Sequence, residues 1–182
     1  MAVTMAGEET LPAARPKVWA LLNDPAVLKV CIPGCESLEK AGENGYAAVA
    51  KLKIGPVAAT FRGKVQLSDI TPQVGYTIAG EGEGGVAGFA KGAAKVTLAD
   101  APGGGTLLRY DVEAQVGGKI AQLGSRLIDG VAKSMADKFF SNFVEAAHAS
   151  EGPEAALAAP QPAPTQRFWL RSIWEWLMSL LR

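Results

Sequence analysis

The chain has 182 residues and a mass of 18.9 kDa, room for one domain of roughly 150 residues and a remainder. Eighteen Lys and Arg balance eighteen Asp and Glu, so the positive field of a nucleic-acid binder is missing, while 48% hydrophobic and 20% charged residues describe a chain that buries a core. One histidine, His148, and two cysteines, Cys31 and Cys35, are too few for a disulfide scaffold, a metal cage or histidine-based triad chemistry.

Met1 to Glu9 carries two acids and no base, and no run of 18 apolar residues occurs, which argues against a signal peptide and a membrane span. Val3 to Glu9 reads as a short strand. Arg15 to Leu22 reads as a helix with Pro16 in its first turn, where a missing N–H costs nothing, and Asn23, Asp24 and Pro25 stop it. In Cys31-Ile-Pro-Gly-Cys35 the Pro33-Gly34 pair forces a turn, and two thiols alone supply half a zinc shell, so a structural role is expected.

From Tyr46 the period is two. Alternating strands are predicted over 46–54, 57–67, 76–82, 90–98 and 108–116, separated by Gly, Pro and Asp clusters, which describes an antiparallel meander. The sequence GEGEGG places Gly80, Gly82 and Gly85 in the spacing of a dinucleotide fingerprint, but a strand follows and Glu81 and Glu83 would repel a pyrophosphate. After Gly118 the period becomes 3.6 for about 30 residues. Ile120, Leu123, Leu127, Val131, Met135, Phe139 and Phe143 form one apolar face, and His148 ends the polar one. The expected class is α+β, a long helix laid across the concave face of the sheet.

Of 24 strand positions assigned to that face, ten are Gly or Ala: Ala48, Ala50, Ala59, Gly63, Gly80, Gly82, Ala90, Gly92, Ala94 and Ala114. At interior packing density so little side-chain volume means either a void or a sharply bent sheet whose glycines relieve crowding. The void reading predicts an apolar cavity lined by Phe61, Tyr76, Ile78, Phe89, Ala94, Tyr110, Leu123, Leu127, Val131 and Met135, with Tyr76 and Tyr110 as its polar tips and no acid or base on the strand positions counted.

Residues 150–166, rich in Ala and Pro, read as a linker of about 20 to 25 Å on average. They separate a domain at 1–149 from the segment RFWLRSIWEWLMSLLR, 167–182, in which ten of sixteen residues are large and apolar. On a helical wheel its polar residues fall within an arc of about 140°. Sixteen residues are too short to cross a bilayer, so the segment is expected to lie in a membrane interface. There Phe168, Trp169, Ile173, Trp174, Trp176, Leu177, Leu180 and Leu181 would be immersed and Arg167, Arg171 and Arg182 would face anionic lipid. Docking into a partner's groove is the alternative.

The runs LLNDPAVLKVCIPGCESLEK (21–40), KLKIGPVAATFRGKV (51–65) and GGKIAQLGSRLI (117–128) closely resemble the CoxG family of carbon monoxide dehydrogenase subunits, part of the START-like helix-grip superfamily. The resemblance covers residues 1–149. It implies a curved sheet gripping a C-terminal helix around a hydrophobic cavity, and association with carbon monoxide dehydrogenase or a related molybdenum hydroxylase. It further implies a peripheral place on the cytoplasmic side of the cell membrane and a respiratory quinone as guest, with no covalent cofactor. The matched positions Asp24, Pro25, Cys31, Pro33, Gly34 and Cys35 are structural types, so no catalytic residue carries over and a non-enzymatic accessory protein is expected. A START-like cyclase or hydrolase acting on a lipophilic substrate is the alternative.

Overall fold

Alternation of side chains along seven strands, read against a single long helix, organises the computed structural model, which describes residues 1–150. The elements in order are β1 (Ala2–Leu11), α1 (Arg15–Leu22), α2 (Pro25–Cys31), β2 (Cys35–Lys40), β3 (Gly45–Ile54), β4 (Val57–Thr71), β5 (Gly75–Glu83), β6 (Phe89–Asp100), β7 (Thr106–Gly117) and α3 (Ser125–Ala149). Short 3₁₀ turns at Gly85–Ala87 and Ile120–Leu123 precede β6 and α3. All strands pair antiparallel in the order β1-β7-β6-β5-β4-β3-β2, the helix-grip arrangement. The linker beyond Ser150 and the amphipathic segment 167–182 lie outside the described residues.

Two elements, α2 and β2, go beyond the sequence pattern. Asp24 ends α1 as expected, but its carboxylate also accepts the Ala26 N–H at 2.8 Å, and with Pro25 in the first turn it starts α2. The Pro33-Gly34 turn then feeds β2, an edge strand carrying a bulge between Cys35 and Ser37. Gly34 has φ +75 and lies so close to the Lys51 carbonyl that a β-carbon would overlap it. Cys31 is fully buried and Cys35 half-buried, both are free, and burial pushes both thiols above their ordinary pKa, which disfavours the reactive thiolate.

The continuous helix expected from Gly118 is broken. Gly124, at φ +87 and ψ 154, adopts a backbone conformation nearly confined to glycine, so Ile120–Leu123 form a separate turn and α3 starts afresh at Ser125. The helical phase therefore shifts. Ile120 and Ile128 become buried, and Leu127, expected on the inner face, is 38% exposed with its side chain against Gly55.

Three long-range contacts tie α1 and α2 to the rest. The Thr106 hydroxyl, wholly buried, donates to the Ala13 carbonyl at 2.7 Å; Lys17 Nζ donates to the Ala147 carbonyl at 2.8 Å; and Asn142 Nδ2 donates to the Cys31 carbonyl at 3.1 Å. The core divides into two clusters. One, around Leu11, Val18, Leu67, Leu98, Leu108 and Phe143, holds the C-terminal half of α3; the other, around Val3, Ile54, Ala87, Val116, Ile120 and Ile128, holds its start. Between them Ala48, Ala50, Ile78, Ala94 and Val112 keep the helix-facing parity and remain only half-buried.

Both readings of the missing side-chain volume hold, at different positions. A β-carbon at Gly63 would overlap the Glu81 carbonyl, and one at Gly92 the Glu113 carbonyl, so these glycines permit close strand approach where the sheet bends. At Gly80 and Gly82 the nearest atoms would lie at 3.5 and 3.7 Å, ordinary contact. Gly92→Ala should therefore cost about 1 to 3 kcal/mol by forcing the strands apart, whereas Gly80→Ala should be neutral or stabilise by up to about 1 kcal/mol through loss of unfolded-state freedom. Urea denaturation of the two variants followed by circular dichroism checks the contrast.

Candidate ligand-binding site

Beneath α1, α2 and the second half of α3 the sheet leaves a cavity of about 240 Å³. Its floor is sheet: Tyr46, Val65, Leu67, Tyr76, Ile78, Val96, Leu108 and Tyr110. Its walls are Leu22 of α1, Leu28 of α2, Ile32, Leu38 of β2, and Phe139 and Phe140 of α3. Each floor residue sits there because its strand places alternate side chains on the helix side, and adjacent strands keep these residues in rows, as in Tyr76–Val96–Tyr110.

The lining is aromatic and ordered. Trp19 meets Tyr76 edge-on at 5.5 Å, Tyr110 stacks on Phe140 at 5.5 Å, and Phe139 lies edge-on to Phe140 and stacked on Phe143. The chain's three tyrosines all line the cavity. Among the described residues none of their hydroxyls has a hydrogen-bond partner. Burial, reinforced by Tyr46, holds the Tyr76 phenol far above its ordinary pKa; Tyr110 is raised by burial, then by Glu9 and Asp137. Both therefore stay protonated and can donate. An apolar ring with hydroxyl donors and no charge in its lining suits a neutral guest that carries hydrogen-bond acceptors.

Of the ten residues expected to line a pocket, Tyr76, Ile78 and Tyr110 do so. Phe61, Leu123 and Val131 instead pack into the second core cluster. Ala94 lies beside Ile78 on the helix-facing side, and Met135 is half-buried on α3; neither reaches the cavity. Leu127 is displaced by the break at Gly124. Phe89 lies on the opposite face of the sheet, 44% exposed, its ring covering Gly117 of the neighbouring strand, because its odd position in β6 opposes the even helix-facing set. β1 adds a position outside the 24: half-buried Glu9 shares the helix-facing parity of Leu11 and stands near enough to act on Tyr110, outside the cavity lining. The missed lining residues of α2 and β2 follow from the Asp24-Pro25 start signal, and Tyr46 from extending the alternation of β3 by one step. Phe140 lies beside Phe139 and no period distinguishes it.

A larger, open hollow of about 790 Å³ lies on the other face of the sheet, where Lys64 and Lys91 are interleaved with Glu81 and Glu113. Its mixed charge and exposure make it a poor container for an apolar guest. Among the described residues no helix is long and apolar enough to cross a membrane.

Comparison with known proteins agrees with this geometry. The CoxG family, described as the G component of carbon monoxide dehydrogenase, matches residues 7–148. A conserved protein from Geobacillus kaustophilus is 34% identical, with a TM-score of 0.77, over 81% of this chain and 97% of its own. At the level of fold alone, the Zhui aromatase/cyclase from Streptomyces sp. R1128 shares 12% identity and a TM-score of 0.59 over 81% and 94% of the two chains, and Ara h 8.0201 shares 15% and 0.57 over 82% and 99%. No curated protein matches the sequence. With a match across most of its length and a structure of one-third identity superposing on the same span, the chain belongs to the CoxG family of carbon monoxide dehydrogenase subunits.

Proposed function

We propose that the protein is a non-catalytic accessory of carbon monoxide dehydrogenase or a related molybdenum hydroxylase, binding a respiratory quinone in the tyrosine-lined cavity and bringing enzyme and acceptor together at the cytoplasmic face of the membrane. The observation that carries the reading is an apolar cavity with three unpartnered phenol hydroxyls. A quinone ring is flat, neutral and bears two carbonyl acceptors, so it fills such a space and satisfies those donors. The volume sets a limit. A cavity of about 150 Å³ accepts benzene, so about 240 Å³ holds a substituted ring, and a long isoprenoid tail must run outside it. The half-buried strip between the two core clusters offers such a tail apolar cover.

The catalytic alternative needs an acid or base in the cavity. Glu9 is the nearest candidate, and it stands on an edge strand outside the lining, so the carrier reading is preferred. Membrane recruitment rests on the composition of residues 167–182, and partner choice on the family.

Two outcomes test the reading. Tyr76→Phe and Tyr110→Phe keep the ring contacts and remove a donor, so each should weaken binding of a short-tailed quinone about 2- to 10-fold with little loss of stability, whereas Leu38→Trp should block the cavity. Equilibrium dialysis measures this; a wild-type protein that binds no quinone would sink the proposal. In the full-length chain, Trp174→Glu with Leu177→Glu should abolish flotation with liposomes and release the partner enzyme into the soluble fraction. Unchanged flotation would place the anchor elsewhere.

A further inference from the structure

The end of the sheet where α3 begins is built from three loops that the second core cluster holds together: 55–57, 84–88 and 117–127. Leu127 lies against Gly55, Gly88 against Gly117 and Gly118, and Ala87 packs with Ile54, Ile120 and Ile128. The apolar residues at this end do not all turn inward. Val86, at the crest of the turn between Gly85 and Gly88, is 84% exposed, Phe89 is 44% exposed and Leu127 is 38% exposed, and Pro56 is exposed beside them. Single exposed apolar residues are ordinary, but here they sit on adjoining loops at one end.

Charge separates this end from the other. The three loops contain Lys119 and Arg126, both exposed, and no acid. Exposed Lys53 and Glu83 flank the first two loops with opposite signs, and Asp129 follows one turn along α3. At the opposite end the hairpin tips 41–44, 69–74 and 100–105 carry Glu43, Asp69 and Asp100 and no base. Those tips also expose apolar residues, Ile70 at 37% and Val74 at 48%. Apolar exposure is thus present at both ends, and the sign of the charge beside it distinguishes them.

We infer that the 84–88 crest, with Pro56, Leu127, Lys119 and Arg126, is a docking surface for an anionic lipid bilayer, belonging to the folded domain itself and separate from residues 167–182. Val86 is placed as a shallow wedge at headgroup depth, and the two cations meet lipid phosphates. The acidic tips at the other end are repelled by the same surface, so docking orients the domain.

The test uses the full-length chain with an environment-sensitive fluorophore at Val86→Cys in a Cys35→Ser background, Cys31 being fully buried. A second version carries it at Val74→Cys. Vesicles are phosphatidylcholine with or without phosphatidylglycerol. Phosphatidylglycerol vesicles should shift emission to the blue at position 86 and leave position 74 unchanged. Raised salt should weaken the effect, and Lys119→Ala and Arg126→Ala should each reduce apparent affinity about fivefold. Vesicle binding with no shift at 86 would assign membrane contact to the tail alone, and equal shifts at both positions would deny orientation. A shift that grows with protein concentration without lipid would make the surface an interface between copies. One that requires an added protein partner in place of lipid would give it to that partner. Each of these overturns the inference.

Discussion

One helix cannot cover seven strands. The antiparallel sheet presents a single apolar face wider than the 25-residue α3, and α1 and α2, joining its two edge strands, supply the only other α-helical cover among the described residues. α3 is held firmly where large side chains exist, by Phe143 with its aromatic neighbours toward one end and by Ile128 toward the other. The cavity, the half-open strip and the exposed loop crest all follow from this shortage of cover. A better-filled sheet would be more stable and would have no room for a guest.

The chemistry of the cavity is that of a container. Its polar groups are phenols kept neutral by burial, and no ionised side chain enters the lining. A charged guest would lose its hydration without a counter-charge, a cost of several kcal/mol, whereas a neutral guest with acceptors meets donors that are otherwise unpartnered. Such an arrangement selects and holds without performing acid–base work. It is consistent with a family named for a component of a redox enzyme.

The formal charge of zero conceals a division along the domain. Acidic hairpin tips and basic loops lie at opposite ends of the sheet, and the sheet's outer face interleaves both signs. A neutral total removes long-range attraction to nucleic acid, yet within a Debye length, about 8 to 10 Å, each end presents its own sign.

Much of the fold was legible because burial on one face imposes a period. The five strands from β3 to β7, the first strand, α1 and the α+β class with its helix-covered sheet all follow from alternation, turn residues and the change to 3.6. The resemblance of residues 21–40 and 51–65 to one family supplied the rest of the topology. What periodicity could not supply is the position of a side chain relative to elements distant in sequence. The break at Gly124 depends on a backbone conformation that reads, in sequence, as one glycine among many, and it moves Leu127 from the core to the surface. Gly63 and Gly92 look like Gly80 and Gly82 until the neighbouring carbonyls are in place. The sequence by itself determined which faces are apolar and that the inner one lacks volume, because those are properties of single strands. Only the tertiary structure decided where the missing volume gathers, because that depends on which three helices happen to stand over which rows of the sheet.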